Sequence, residues 1–380
     1  MQERRRSRGD SGPAGGGERY SPTGQSTRII MTLKVGLIGC GHIGTFHARN
    51  IKDIQQHGLV DIEYHAVCDR FIERAEQFAA IADCPLVTED PEDVIAACDA
   101  VYVCTETAEH PYLVTAAAAA GRHVFCEKPL ARSLAEAETM AAAVRDAGVT
   151  HQVGLVLHYS PVYRALAAEM TRAGPVLAAH LRDDQCFPVG GHYGSTWRGD
   201  VARAGGGTLL EHSIHDVDLL RRLFGEIDTV HCRTREVSGH PGIEDVAVVT
   251  FQHAGGAVSS LTSVWHDVPS RQSSRHLEVF CSRARFDTHQ DYFGSLTIEA
   301  GEDPPRTLSS DEVLARFMAE ESLHARDEDL RRLGGLSDRR FLEAAAAGKP
   351  ARPDFEDALA AHRIVDACYR SAAEDRPVPL

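Results

Sequence analysis

The chain has 380 residues, 43% hydrophobic and 25% charged, an ordinary globular composition with enough length for two domains. Its formal net charge of −15 argues against nucleic acid as a partner, because the phosphates would be repelled. No apolar run approaches the ~20 residues of a membrane span, and the ten cysteines follow no C-x-x-C or disulfide-like spacing, so we expect a cytoplasmic protein without a membrane partner.

The N-terminal segment, residues 1–30, is rich in Arg, Gly, Ser and Pro, and we predict a disordered tail because little of it can be buried. Three glycines spaced G-x-G-x-x-G follow, between an apolar run at 34–38 and a helix-compatible stretch at 43–56. In such a strand–turn–helix unit the glycines allow a tight turn, close approach of the backbone to a pyrophosphate, and close helix packing. The helix N-terminus then directs free N–H groups at the phosphates. We therefore predict a dinucleotide-binding loop formed by Gly39, Gly41, His42, Ile43 and Gly44.

A second predicted strand, residues 62–68, ends at Asp69. A carboxylate at this point can accept hydrogen bonds from both hydroxyls of the adenosine ribose and would repel a 2′-phosphate, which favours NAD over NADP. Arg70 stands beside it and can accommodate that phosphate, so NADP stays open. The alternative is that Asp69 is only a strand-end acid.

Helical and apolar stretches alternate up to residue 150, which is typical of a doubly wound parallel sheet. We predict an N-terminal Rossmann domain over residues 31–150, with its ligand at the carboxyl ends of the strands. Three loops lie at that edge, at 39–44, 105–110 and 127–130. The predicted helices are 71–81, 91–97, 109–120 and 133–147, and the further strands are 85–87, 100–104 and 123–126.

Beyond residue 150 the candidate strands become longer and alternate between apolar and polar residues. This pattern predicts a C-terminal α/β domain, residues 151–380, with a large open, mostly antiparallel sheet that has one face covered and one available to a ligand. Helices are expected after a polar stretch at 301–312 and include 355–373. The predicted strands are 177–182, 229–235, 247–252, 257–264, 277–281, 284–288 and 295–299.

The first candidate for chemistry is Lys128, in a Glu-Lys-Pro sequence directly after a strand at the cofactor edge. An ammonium group placed there can hydrogen-bond a substrate hydroxyl and stabilise the alkoxide that develops from it. The X-Pro bond that follows can be cis and define the turn. The alternative is an ordinary solvated surface lysine.

The second candidate is the segment 205–220, where a glycine run opens a predicted helix. Glu211, His215 and Asp218 follow at i, i+4 and i+7, so one helix would place them on one face. A carboxylate beside a histidine suits a general base, because histidine titrates near neutrality. His212, His215 and Asp216 could instead hold a metal, but no H-E-x-x-H or cysteine ligand spacing supports this, so we assign no metal site. The alternative is an amphipathic helix with ordinary hydrogen-bonded polar residues.

Taken together, these motifs resemble the glucose–fructose oxidoreductase / inositol dehydrogenase / MocA-like family over residues 33–380. The resemblance implies a Rossmann domain followed by an open-sheet α/β domain, a nicotinamide cofactor, a sugar- or cyclitol-like substrate, and a homo-oligomer, either a dimer or a tetramer. The segments that carry the resemblance are Gly39 to His47, Thr105 to His110, Glu127-Lys128-Pro129, and Trp197-Arg198 ahead of Gly205 to Asp218.

By this resemblance the family's catalytic lysine is Lys128, its catalytic histidine is His215, and its usual aspartate four residues earlier is Glu211. The usual proline after Thr105 is Glu106, and an arginine common near the start of the second domain is His158. The resemblance adds Thr105, His110, Glu127 and Lys128 to the predicted cofactor site. Position alone suggests substrate contacts from His158, Tyr159, Gln185, His192, Tyr193, Trp197, Arg198 and His212.

The predicted function is an NAD(P)-dependent oxidoreductase that moves a hydride between nicotinamide and a hydroxyl or carbonyl of a sugar, polyol or cyclitol. In the oxidation direction His215 would take the hydroxyl proton, Glu211 would orient His215, and Lys128 would stabilise the alkoxide. One alternative is an NAD-dependent glycosidase that uses transient oxidation of a sugar ring. A second is a non-catalytic dinucleotide-binding sensor, which the presence of all three residues disfavours.

Overall fold

The first half of the computed structural model forms a parallel sheet flanked by helices. The structure describes residues 32–190, 193–290, 292–323 and 335–380, so the predicted tail at 1–30 and His192 lie outside the described residues. The elements are β1 Leu33–Ile38, α1 His42–Gln56, β2 Ile62–Cys68, α2 Ile72–Ala82, β3 Leu86–Thr88, α3 Pro91–Ala97, β4 Ala100–Val103, α4 His110–Ala119, β5 His123–Cys126, α5 Leu134–Ala147 and β6 His151–Val153.

The six strands are ordered β3-β2-β1-β4-β5-β6, and every neighbouring pair is parallel. The order reverses at β1, which is the doubly wound arrangement that the sequence predicts, and the prediction is confirmed. The reversal places the loops after β1 and β4 side by side at the carboxyl edge. Sequence signals are visible at α5, where Ser133 Oγ accepts a hydrogen bond from Glu136 N and Gly148 ends the helix at φ +65°.

The second half of the chain forms a larger sheet. Its nine strands are ordered β14-β13-β12-β11-β7-β10-β9-β8-β15, and only the central pair β7–β10 is parallel among the described pairings, so the mostly antiparallel prediction is confirmed. The elements are α6 Pro161–Met170, β7 Val176–Cys186, α7 Val201–Ala204, α8 Thr208–Glu211, α9 Ile214–Phe224, β8 Ile227–Arg235, β9 Val246–His253, β10 Val258–His266, β11 Ser274–Cys281, β12 Ala284–Thr288, β13 Leu296–Ala300, β14 Arg306–Leu308, α10 Ser310–Glu320, α11 Gly335–Ala347, α12 Phe355–Glu374 and β15 Val378–Pro379.

The two faces of this sheet differ in burial. In β11 every second side chain is buried, and β9 and β10 follow the same alternation. The buried face joins one hydrophobic core with helices α9 and α12, while the other face carries the half-exposed residues. This is the one-sided sheet expected from the alternating sequence.

The last two helices, α11 and α12, return to the first sheet. Phe341 packs edge-on against Tyr102 and Phe125, with ring centroids 5.4 and 5.6 Å apart. Phe355 and Leu359 belong to the hydrophobic core on the other side of that sheet. Strand β6 also joins the first sheet just after residue 150, where the sequence analysis divides the chain; that domain boundary stays a prediction.

Candidate active site

The glycine loop between β1 and α1 has the geometry that a pyrophosphate requires. Gly39 has φ +103°, and a Cβ on it would lie 2.6 Å from the Cys104 backbone. A Cβ on Gly44 would lie 2.2 Å from the Gly39 carbonyl oxygen, whereas the space around Gly41 is open for a ligand. No side chain caps the N-terminus of α1, so its first N–H groups stay available to phosphate oxygens. The loop therefore fits a dinucleotide.

The acid at the end of β2 braces this loop. Asp69 is buried, and its carboxylate accepts hydrogen bonds from the backbone N–H of Cys40 at 2.8 Å and of Phe71 at 3.0 Å. Arg70 lies 3.2 Å from Glu106, the residue that replaces the family's usual proline. Glu106 also contacts Arg203, which comes from the second half of the chain. The guanidinium of Arg70, beside Asp69, is thus paired with the Glu106 carboxylate.

A single cavity of about 600 Å³ extends from the glycine loop to the second sheet. Most of the predicted site residues lie on its wall, from both halves of the chain. They are Gly39, Gly41, His42, Ile43, Asp69, Arg70, Thr105, Glu127, Lys128, Gln185, Tyr193, Trp197, Arg198, Glu211, His212 and His215.

Four predicted residues do not line the cavity: Gly44, which packs the helix, and three side chains that bond elsewhere. His110 is buried, and its ring Nδ1 lies 3.1 Å from the Pro129 carbonyl oxygen, so it joins two loops at the cofactor edge. His158 lies 2.8 Å from a carboxylate oxygen of Asp218. Tyr159 donates to the Arg352 carbonyl oxygen at 2.6 Å. Neither side chain lines the cavity, since both are bonded elsewhere, so the substrate contacts of His158 and Tyr159 stay predictions that the cavity does not support.

Lys128 connects the two halves of the chain. It follows β5, precedes a cis bond to Pro129, and donates from Nζ to the backbone carbonyl of Glu211 at 2.8 Å. Burial, reinforced by the positive charge of Arg198, lowers the pKa of Lys128 from 10.5 to about 8. The side chain is therefore a half-buried group with a fixed hydrogen-bond partner, which excludes the solvated surface lysine.

The segment 205–220 is not one helix, and this prediction is wrong. Helix α8 ends at Glu211, and α9 begins at Ile214, so Glu211 and His215 do not share a continuous helical face. The Glu211 carboxylate instead accepts from Thr107 Oγ1 at 2.7 Å and from Arg198 Nε at 3.0 Å. Glu211 therefore does not orient His215 by a hydrogen bond.

His215 is buried on the cavity wall, and its Nδ1 has no hydrogen-bond partner among the residues that the structure describes. Burial, followed by the positive charges of Lys128 and Arg275, lowers its pKa well below 6.5. The imidazole is consequently neutral at neutral pH and can accept a proton.

The site also contains a buried arginine that the sequence analysis missed. Arg275 on β11 bonds the Asp216 carboxylate at 2.7 Å and Asp183 at 3.1 Å, while His212 lies 2.8 Å from Asp183. Burial, with Asp183 nearby, raises the pKa of Asp216 to about 7. His212 and Asp216 are thus held in an ion network through Arg275 and Asp183. Alternation could have identified Arg275, since it occupies an inward position of β11.

Behind Lys128 lies a buried imidazolium. His47 contacts Glu127 at 2.9 Å through one ring nitrogen and Asp338 of α11 at 2.7 Å through the other. Burial opposes its charge, but these two carboxylates outweigh burial and raise the pKa of His47 to about 10. Glu127 also accepts from the backbone N–H of Lys128 at 3.1 Å, so the network holds the turn that carries the lysine.

Fold and site together define a dinucleotide-dependent oxidoreductase with its reactive groups between two halves of one chain. The chain belongs to the GFO/IDH/MocA family: residues 33–155 match the profile described as an oxidoreductase family with NAD-binding Rossmann fold, and residues 167–287 match the GFO/IDH/MocA C-terminal domain. The predicted family and the NAD-dependent dehydrogenase or reductase class are confirmed, as is NAD as cofactor.

Similar proteins extend over nearly the whole chain. Inositol 2-dehydrogenase of Rhizobium meliloti is 28% identical over 363 residues, which cover 92% of this chain and all of the relative. Inositol 2-dehydrogenase of Cereibacter sphaeroides (strain ATCC 17029) is 31% identical, with 91% and 95% covered. A solved levoglucosan dehydrogenase in complex with NADH has a TM-score of 0.78 at 24% identity, with 91% of this chain and 98% of that chain covered. Among the described helices, none combines the length and apolar character that crossing a membrane requires.

Proposed function

We propose that the protein oxidises a CH–OH group of a sugar, polyol or cyclitol, or reduces the corresponding carbonyl, with NAD. The observation that carries this proposal is the single cavity that joins the glycine loop, Lys128 and a neutral, buried His215. NAD, when bound, supplies the hydride acceptor, and the glycine loop and Asp69 are the residues that would hold it. The names of the inositol dehydrogenase relatives support a polyhydroxylated substrate.

His215 serves as the proton acceptor in this proposal. Its low pKa keeps the ring unprotonated at neutral pH, and its unpartnered Nδ1 leaves the imidazole without a competing hydrogen bond at that atom. A general base must be free and correctly protonated when the substrate hydroxyl arrives. After proton transfer the imidazolium stands close to Lys128 and Arg275, which favour return of the proton to solvent or substrate.

Lys128 serves as the alkoxide stabiliser. An ammonium group has three N–H donors, and one of them is directed to the Glu211 carbonyl. That bond aims the side chain, and the remaining donors are available to a substrate oxygen in the cavity. A fixed cation in a buried site stabilises developing negative charge more strongly than water does.

Glu211 acts as a positioning residue, which revises its predicted role. Its carboxylate accepts hydrogen bonds from Thr107 in the first half of the chain and from Arg198 in the second. Its backbone carbonyl accepts a further one from Lys128. Arg198 also stacks on Trp197, with its guanidinium carbon 4.5 Å from the ring centroid. One residue therefore sets the spacing between the cofactor edge and the substrate wall.

The proposal favours NAD over NADP. Asp69 lies on the cavity wall, and the Arg70 guanidinium is engaged by Glu106. A 2′-phosphate would meet both carboxylates and would have to displace Arg70 from one of them. We also propose a homo-oligomer, dimer or tetramer, through the open sheet face, and a cytoplasmic location, which ten unpaired cysteines support.

The test is a panel of sugars, polyols and cyclitols, assayed with NAD and with NADP by the absorbance of the reduced nicotinamide. We expect net reduction of NAD with at least one member. Release of an aglycone from glycosides without net change in the cofactor would favour the transient-oxidation glycosidase instead. Cofactor binding without turnover of any substrate, in either direction, would favour the sensor.

A further inference from the structure

A cluster of two histidines and one aspartate lies on the second sheet, outside the cavity wall. Nε2 of His276, on β11, lies 3.0 Å from one carboxylate oxygen of Asp287, on β12. Nε2 of His289, directly after β12, lies 2.9 Å from the other oxygen. The two imidazole rings stack 4.0 Å apart with an interplanar angle of 12°.

The strand register explains why these residues meet. Leu277 pairs with Thr288, and Glu278 pairs with Asp287. Continued by one residue, this antiparallel register places His276 opposite His289, so both side chains stand on one face of the sheet. The neighbouring Leu277 and Val279 are buried on the opposite face. The cluster is thus built by two paired strands and does not depend on a loop conformation alone.

We propose that His276, Asp287 and His289 form a binding site for a divalent transition-metal ion of the zinc type. Their ligand atoms all lie within 4.8 Å of one another, and in the described part of the chain no other three such side chains come this close. Two imidazole nitrogens and one carboxylate oxygen suit Zn²⁺, and three protein ligands leave a fourth position for water. These three residues follow no known metal-binding spacing in the sequence and become neighbours only through the pairing of β11 with β12.

The charges around the cluster favour a dication. Arg285 lies 2.9 Å from Asp287, but the same guanidinium also bonds Glu278 at 2.6 Å and Glu299 at 2.7 Å. Arg182, opposite His276 on β7, lies 3.4 Å from the Asp184 carboxylate and is paired there. The Arg285 guanidinium faces three carboxylates, so two negative charges remain beside the site to attract the ion. Arg285 also fixes the orientation of Asp287, as outer partners of metal ligands commonly do.

Binding requires little rearrangement. Each Nε2 that now faces a carboxylate oxygen must give up its proton, and a neutral imidazole does so by moving the proton to Nδ1. The ion then replaces the two hydrogen bonds, at ~2.0–2.1 Å from each nitrogen. In the single chain, before any association through this sheet face, the His289 side chain is 67% exposed, which gives the ion a path from solvent.

The experiment uses the full chain, treated with chelator and dialysed, and titrated with Zn²⁺ against a chromophoric competitor. We expect one equivalent of Zn²⁺ per chain and, with Co²⁺ as a second probe, a visible absorption band of a low-symmetry site. His289→Ala and Asp287→Asn should each weaken Zn²⁺ binding at least ~10-fold. Zn²⁺ should also raise the melting temperature of the unmutated protein and leave that of both variants unchanged.

The matched control is His180→Ala, which removes an exposed histidine that stands opposite Glu278 on the same face and is not part of the cluster. It should bind Zn²⁺ as the unmutated protein does. Unchanged Zn²⁺ affinity in both His289→Ala and Asp287→Asn would place the ion elsewhere, for example on the cavity histidines, and overturn the proposal. Less than one equivalent bound to the unmutated chain would overturn it as well.

Discussion

Replacing Lys128 by methionine separates the effect of its half-buried ammonium on stability from its effect on catalysis. Burial and Arg198 lower the pKa of Lys128 from 10.5 to about 8, so the folded protein holds this charge less easily than the unfolded chain does. At ~1.4 kcal/mol for each tenfold change, the difference corresponds to ~3 kcal/mol. The substitution also removes the hydrogen bond to the Glu211 carbonyl, which lowers the free energy of unfolding by ~1 kcal/mol. We therefore expect Lys128→Met to raise the free energy of unfolding by ~2 kcal/mol.

The same substitution should lower kcat by ~10²–10³, because the alkoxide loses its cationic partner. NAD affinity should remain, since the glycine loop and Asp69 are untouched. The gain in stability has a defined pH dependence. The folded protein loses the Lys128 proton as pH passes about 8, whereas the unfolded chain keeps it up to about 10.5. The destabilisation by this charge is therefore present below pH 8 and is lost between pH 8 and 10.5, so the advantage of the variant should be complete at neutral pH and disappear above that window.

The assay is denaturant unfolding at several pH values, together with steady-state kinetics on a substrate found in the panel. Lys349→Met is the matched control, because that lysine is exposed, and it should change the free energy of unfolding by less than ~0.5 kcal/mol. A Lys128→Met protein that turns over substrate normally, or that is less stable than the unmutated protein at neutral pH, would refute the reasoning.

Three further outcomes are expected. His215→Ala should bind NAD in a fluorescence titration but lose turnover. In the unmutated protein the acidic limb of the pH–rate profile should lie well below pH 6.5. A variant that stays active and keeps this acidic limb would contradict the role of His215 as the base. In the same titration Asp69→Ser should weaken the binding of NAD by ~1–3 kcal/mol and so narrow the difference in affinity between NAD and NADP. Equal affinities of the unmutated protein for NAD and NADP would rule the preference out. Turnover should survive exhaustive chelation, because no residue of the His276 cluster lines the cavity; activity that vanishes and returns with zinc would disprove metal-free catalysis.

Much of the fold is predictable because its signals are local. Strand β2 has the predicted bounds, 62–68, since its buried apolar residues form one short segment that is continuous from Ala66 to Cys68 and ends at Asp69. The edge strands β14 and β15, by contrast, have three and two residues, too few for any periodic pattern. They form because a neighbouring strand offers free backbone groups, which is tertiary information.

The residues of the site likewise divide into those that local motifs predict and those that only tertiary contacts bring together. The glycine loop and Lys128 follow from short motifs whose meaning depends on the preceding strand. The break before α9 does not follow from such a motif, because long-range hydrogen bonds compete with the helix. Ser213 Oγ lies 2.6 Å from Ser263 Oγ and 3.2 Å from an Asp183 carboxylate oxygen, so it can donate to one and accept from the other hydroxyl. Glu211 is thereby turned from His215 towards Arg198. Arg275 was missed because its partners lie on strands and helices distant in sequence.

The return of α11 and α12 to the first sheet has a consequence for biosynthesis. Phe341 and Phe355 complete the cores on the two faces of that sheet, and Asp338 supplies one of the two carboxylates around His47. All three residues lie far downstream of β6, the last strand of that sheet in the chain, so they leave the ribosome well after its strands do. The two cores of the nucleotide-binding sheet are therefore incomplete until α11 and α12 have been translated. Nascent chains stalled between β6 and α11 would expose apolar faces of the sheet to chaperones.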